Sequence, residues 1–344
     1  MSQNPRWVQR PEGSTWGDFG PDDQLGRLNL VTPEKVRQGI AEVREGRTFC
    51  LSLPLDRPGG KALNPRRGPP VLAATGPAEK PRYNQCLCHD EAGLLDVVSD
   101  DKVEITLQYS TQWDSLAHVG AMFDADGDGV AEPVYYNGFR AGIDTIGPRE
   151  AAMRGIPVGA RKLGIETQAV HGVQGRGVLV DLAHHFGEAR RIVGHDDLMH
   201  VLEADRVAVE TGDILCLHTG FAAVVMRADG APDPDVLANA CGVLDGRDER
   251  LLQWISDSGI AALAADNYAV EALPARPAAR PEHAVMPLHH HCLFKLGLPL
   301  GELWWLTDLA AHLRAAGRSR FLLTAPPLRL PGAVGSPVTP IATV

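Results

Sequence analysis

The sequence has no apolar run of membrane-spanning length, no long basic run, no internal repeat and no low-complexity tract. The first absence argues against a transmembrane helix. The second removes the usual electrostatic footprint of nucleic-acid binding, because neutralising phosphate needs clustered Lys and Arg. Acidic residues outnumber basic ones, 43 to 33, for a formal charge of −10. A small molecule is therefore the expected partner, with neither nucleic acid nor membrane. Hydrophobic residues make up 44% and charged residues 22% of the chain, as in folded globular proteins. Met1 to Gly13 is polar, carries Arg6 and Arg10 and has no apolar stretch behind it, so the expected compartment is the cytoplasm. The six scattered cysteines are then expected as reduced thiols rather than a disulfide framework. Cys86, Cys88 and His89 lack the second ligand pair of a zinc site.

Several chemical motifs are missing as well. No G-x-S-x-G elbow occurs, so the nucleophile of any hydrolysis is expected to be water. Gly172, Gly175 and Gly177 precede the strand-like run Val178 to Asp181, whereas a dinucleotide-binding turn follows its strand. Asp124, Asp126 and Asp128 copy the start of a calcium loop, but its twelfth position is Tyr135 instead of the closing Glu, so a solvated acidic turn is expected.

What is present reads as α/β. Gly177 to Leu182, Asp213 to Leu217 and Ile260 to Ala265 have strand patterns, as does Val103 to Leu107. Pro148 to Leu163, Leu198 to Glu203 and Asp248 to Asp257 have helical composition. Asp56 to Lys80 is rich in Pro, Gly and Arg, as a surface loop or lid would be. The expected organisation is an N-terminal extension and lid region (1–100) packed on a metal-binding core (101–325), with a proline-bearing C-terminal tail (326–344) that wraps over the surface or a neighbouring subunit without forming an element. All three are expected to be integrated into one domain.

Two clusters carry candidate chemistry. In Gln108-Tyr109-Ser110-Thr111-Gln112-Trp113-Asp114, followed four residues later by His118, the acid and imidazole would point the same way on a helical turn. The alternative for this pair is a cap and a surface histidine. His289, His290 and His291 are adjacent, and since consecutive side chains diverge at most two can serve one site. Glu302 is a lone acid in the apolar stretch Gly301 to Leu306, where a carboxylate must be paired, metal-bound, pKa-shifted or exposed at an end.

These residues resemble the cyclase family, which includes kynurenine formamidases and isatin hydrolases. Its pattern H-x-G-T-H-x-D-x-P-x-H falls on Gln108 to His118, matching at Thr111, Asp114 and His118. The family's later His and Glu, twelve residues apart, fall on His290 and Glu302. Gly175 to Asp181, Thr211 to Leu215, Asp266 to Glu271 and the opening Trp16-Gly17 to Asn29-Leu30 also resemble it. Gln108 and Gln112 stand where the family has its first two metal-binding histidines, as in longer members such as trans-dienelactone hydrolase. The resemblance implies a swivelling β/β/α fold, a mixed sheet with flanking helices, and a homo-oligomer. It also implies one divalent metal, Zn or Mn, on Asp114, His290 and Glu302, with Gln112 as a further oxygen donor.

In the activity this implies, the metal acidifies a water and polarises an amide, imide or lactone carbonyl, while His118 shuttles the proton. Gln108, Trp113, His171, His218 and Asn267 are candidates for substrate contact or for supporting the site. Two rival readings remain: a metal-dependent lyase or ring-forming enzyme, and a non-catalytic metal or ligand binder.

Overall fold

The computed structural model describes residues 6–344. A mixed nine-stranded sheet forms its centre. In chain order the strands are β1 (Thr48–Cys50), β2 (Gln112–Asp114), β3 (Gln174–Asp181), β4 (Ile214–His218), β5 (Ala262–Ala265), β6 (Leu300–Glu302), β7 (Arg320–Thr324), β8 (Gly335–Pro337) and β9 (Ile341–Thr343). Across the sheet they lie in the order β1-β9-β7-β3-β4-β5-β6-β2-β8. β3 through β6 are parallel, and every other pairing is antiparallel.

The parallel strands read as nearly continuous apolar runs because both faces are covered. Their alternation divides them between two cores. Val178, Val180, Leu215, Leu217 and Leu263 pack with Leu198, Val201, Leu251 and Ile255 from the helices His195–Ala204 and Glu249–Ser258. Leu179, Ile214, Cys216 and Ala264 face the opposite way, toward Leu309, Ala310 and Leu313 of the helix Thr307–Ala315. The helix Glu249–Ser258 begins where the Asp248 side chain accepts the N–H groups of Arg250 and Leu251, and ends at Gly259 in the left-handed region.

Several expected elements differ. The C-terminal segment does form elements: β8 pairs with β2, and β9 lies between β1 and β7. Pro326, Pro327 and Pro331 lie in the loop before β8, Pro337 is on the edge strand β8 and Pro340 precedes β9, all places where a missing N–H is tolerated. The strand near Val103 spans Asp101–Glu104, and it pairs with Val71–Ala74 outside the main sheet. The first helix of the Pro148 segment stops at Arg154, because Gly155 turns left-handed and Pro157 follows. Cys86 and Cys88 form a disulfide, contrary to the all-thiol expectation; they are two residues apart where the chain turns into the short 3-10 helix Leu87–His89, with their Cα atoms at 5.2 Å. Cys50, Cys216, Cys241 and Cys292 are free. Among the described residues no helix is long and apolar enough to cross a membrane.

The N-terminal segment is part of the core. Trp16 is fully buried, donates its indole N–H to the Phe294 carbonyl at 2.8 Å and meets the Phe294 ring edge-on at 5.2 Å. Gly26 lies so close to Gly297 that a Cβ would fall 2.0 Å from the Gly297 carbonyl oxygen. The segments Gly175 to Asp181 and Thr211 to Leu215 meet through a buried ion cluster. Arg176 grips Asp213 with Nε at 2.8 Å and Nη2 at 3.0 Å, and Lys35 Nζ adds a contact at 3.1 Å. Removing one partner of such a cluster strands buried charge. Asp213→Ala is therefore expected to cost about 3–5 kcal/mol in urea unfolding; a loss below about 1 kcal/mol would show that water satisfies the two cations.

Candidate metal centre

The centre is built where β2 meets β6. Glu302 lies opposite Gln112, and Gly301 opposite Trp113. Strand alternation therefore places Gln112, Asp114 and Glu302 on one face and Trp113 on the other. Trp113 packs against Trp304 at 5.0 Å and donates to the Ala325 carbonyl, so it belongs to the core behind the site. Asp114 and His118 do not share the expected helical turn. Asp114 ends a strand, a tight turn follows in which the His118 N–H reaches the Ser115 carbonyl, and His118 Nε2 returns to 3.8 Å from Asp114 Oδ1.

Strained backbone holds the floor. Leu303, directly after Glu302, has φ 57°, and Ala269 and Val270 have φ 70° and 59°. A β-branched residue in the left-handed region is unfavourable unless its surroundings enforce it. They do so here: the Leu303 N–H donates to the Asn267 carbonyl, the Thr111 hydroxyl donates to the Leu303 carbonyl, and Val270 is fully buried.

The histidine of the cluster is His289, not His290. It ends the helical turn Pro287–His289, after which His290–Lys295 is π-helical. One oxygen or nitrogen from each of Asp114, His289 and Glu302 lies within 4.8 Å of the others, and all three residues are buried. His289 Nε2 is 3.3 Å from Glu302 Oε1 and 3.9 Å from Asp114 Oδ2. His290 instead packs its ring on Phe294 at 5.0 Å, and burial pushes its pKa down to about 4. His291 bonds to the Ser256 hydroxyl at 2.9 Å, and burial, aided by Lys295, takes it to about 4 as well.

Glu271, which was not among the sequence candidates, orients the imidazole. Its Oε1 is 2.8 Å from His289 Nδ1, and its two oxygens also accept the main-chain N–H groups of Leu288 and His289. Burial opposes charge on His289, but the carboxylates of Glu271 and Glu302 outweigh it and push the imidazole up to about 10. For Glu302, burial is likewise outweighed by the His289 hydrogen bond, and its carboxyl is held below the ordinary range. Burial dominates at Asp114 and pushes its carboxyl up, with His118 opposing.

Three buried oxygens here have no hydrogen-bond partner: Asp114 Oδ2, Glu302 Oε2 and Gln112 Oε1. Uncompensated buried acceptors are costly. Oxygen donors around a single imidazole fit a divalent cation such as Zn or Mn. The exposed trio Asp124, Asp126 and Asp128 also clusters, but Asp124 is occupied by the N–H groups of Gly127, Asp128 and Gly129 and Asp126 pairs with Arg140, as in an acidic turn.

The other candidates are dispersed. Gln108 lies beside Arg67, which donates to its carbonyl at 2.8 Å. Asn267 is buried and ties its amide to the Gly242 and Val270 carbonyls. His218 pairs with Asp181 at 2.8 Å, away from the trio. His171 ends the helix Ile165–His171, and no hydrogen bond or ion pair joins it to the trio. Glu271, which bonds His289, and Asn267 form part of the wall of a cavity of about 320 Å³ that the trio itself does not line.

The Cyclase family model matches residues 49–272, and the chain belongs to the cyclase family. A crystal structure described as a novel cyclase is 32% identical, covers 96% of this chain and 97% of its own, and superposes with a TM-score of 0.73. Two isatin hydrolase structures share the fold at low identity. Isatin hydrolase A from Labrenzia aggregata, bound to benzyl benzoate, is 14% identical over 90% of this chain and 98% of its own, with a TM-score of 0.53. An isatin hydrolase bound to the product analogue thioisatinate is 11% identical over 91% and 99%, with a TM-score of 0.52. No match is found among curated proteins. The α/β fold with its mixed sheet and flanking helices is thus the swivelling β/β/α fold expected for the family.

The imidazole raised to about 10 has a direct consequence. A metal takes neutral imidazole, so ion binding must displace its proton. Calorimetric zinc titration of the chelated protein at about pH 8, in buffers of different ionisation enthalpy, is expected to show at least about one proton released per ion. Apparent affinity should rise with pH toward about 10. A proton-neutral, pH-independent titration would contradict this reading.

Proposed function

We propose that the chain is a metal-dependent hydrolase that cleaves an amide, imide or lactone bond of a small molecule with water as nucleophile. The observation that carries the proposal is the pair of unpartnered buried carboxylate oxygens, Asp114 Oδ2 and Glu302 Oε2, beside the His289 imidazole. Asp114, His289 and Glu302 would hold one Zn or Mn ion, with Gln112 as a further oxygen donor. When bound, such an ion supplies Lewis acidity that polarises a carbonyl and acidifies water.

The remaining steps belong to the chain's own groups. Glu271 accepts the Nδ1 proton of His289 and so fixes the imidazole's orientation and leaves Nε2 facing the two acids. His118 lies beside Asp114, its Nε2 3.8 Å from Oδ1, and is partly open, at 19% exposure. It can take a proton from the attacking water and return it to the leaving nitrogen or oxygen. A cavity of about 320 Å³, whose wall includes Glu271, the hydrogen-bond partner of His289, suits a small molecule.

Metal content and turnover separate these roles. Asp114→Asn and His289→Ala are expected to lose the ion, whereas His290→Ala keeps it. His118→Ala should retain the ion but lose about 10²- to 10⁴-fold in kcat on any amide or lactone substrate. Reaction in ¹⁸O-labelled water should place the label in an acid product. Retention of full metal content in His289→Ala, or an unlabelled product, would overturn the assignment.

A further inference from the structure

The cavity walled in part by Glu271, the partner of His289 Nδ1, holds a cation without a partner. Arg190 lines it together with Phe221, Leu237, Asn267, Tyr268 and Glu271. Neighbouring arginines are neutralised: Arg191 meets Asp197 at 2.7 Å and Arg227 meets Glu188 at 2.7 Å. Glu188, two residues before Arg190, is thus engaged elsewhere. Among the described residues the Arg190 guanidinium has no hydrogen bond or ion pair, and the one ionisable group acting on it is the Cys241 thiol. That thiol is itself kept neutral by burial, which pushes it up to about 12.

The one carboxylate in the cavity wall cannot serve Arg190. Glu271 is fully buried, and its oxygens already accept the Leu288 N–H, the His289 N–H and the His289 ring. Burial disfavours the Arg190 charge and lowers its pKa, yet the main chain holds the residue in place by an N–H bond to the Asn239 carbonyl at 3.1 Å. A half-buried, unpaired guanidinium is costly unless something negative joins it. Phe221, Leu237 and Tyr268 contribute apolar and aromatic surface to the same wall.

We propose that Arg190 binds a carboxylate of the substrate, so that the substrate class is an anionic small molecule. Its apolar body lies against Phe221 and Tyr268, and its scissile carbonyl points toward Asp114, His289 and Glu302. The placement of the carbonyl rests on the hydrolase reading; the anion site does not. Arg190 acts here in specificity, since a guanidinium can grip a carboxylate through two parallel N–H bonds.

The test uses full-length wild type, Arg190→Gln and Arg190→Lys, each treated with chelator so that no ion can hold a carboxylate. Benzoate and its neutral counterpart benzamide are titrated by saturation-transfer NMR. Benzoate is expected to bind wild type, to weaken at least about tenfold in Arg190→Gln, and to recover partly in Arg190→Lys; benzamide should bind wild type and Arg190→Gln alike. Absence of benzoate binding to wild type, or equal binding to wild type and Arg190→Gln, overturns the proposal.

A second arm compares hydrolysis of 2-formamidobenzoate and formanilide by the zinc-loaded proteins. Selective loss of kcat/KM for the carboxylated substrate in Arg190→Gln supports the site. The expected benzoate pattern without hydrolysis would leave the anion site standing and sink the hydrolase reading. Hydrolysis of both substrates with no selective loss in Arg190→Gln would sink the anion site alone.

Discussion

Three carboxylates, Asp114, Glu302 and Glu271, are buried around one imidazole, and this crowding of negative charge is the constraint on which the site depends. Each carboxylate gives up strong hydration. Glu271 recovers its loss through three N–H donors, and His289 in turn satisfies one oxygen of Glu302. Asp114 Oδ2 and Glu302 Oε2 recover nothing from the chain. Such a debt is tolerable where a cation completes the set, and burial, joined by the charge of Glu302, pushes the Asp114 carboxyl up.

The rest of the fold keeps that arrangement from relaxing. A wall of indole behind the acids, Trp113 against Trp304, stops β2 and β6 from tilting. Left-handed residues at Leu303, Ala269 and Val270 bend the chain sharply next to Glu302 and Glu271. The N-terminal segment, through Trp16 on Phe294 and Gly26 on Gly297, clamps the turn that carries the histidines. Sequence far from the chemistry thus sets its geometry.

Much of this was legible before any coordinates. Apolar runs identified β4 and β5, and helical composition marked the helix that begins at Glu249. Glu302 stood out as an acid in apolar company, and Asp114 through its spacing to His118 and the family pattern. The choice among three histidines did not, because the π-helical turn after His289 changes the angular phase that a spacing of twelve assumes. Asp114 and His118 were rightly paired for the wrong reason, since a strand end and a turn bring them together. Glu271 was visible only as part of a matched segment: its role comes from long-range packing against Leu288 and His289. The C-terminal strands were hidden because they are short and lie among prolines, and only pairing with distant strands defines them.

Gln112 sets the character of the centre. An amide in place of imidazole leaves a single histidine among the candidate donors, with oxygen making up the rest. That composition favours one hard-to-borderline divalent ion. X-ray absorption at the zinc edge of the zinc-loaded protein measures it directly. One imidazole with oxygen neighbours and no metal–metal scattering is the predicted spectrum; two or more imidazoles, a sulfur neighbour or a second metal would contradict the account.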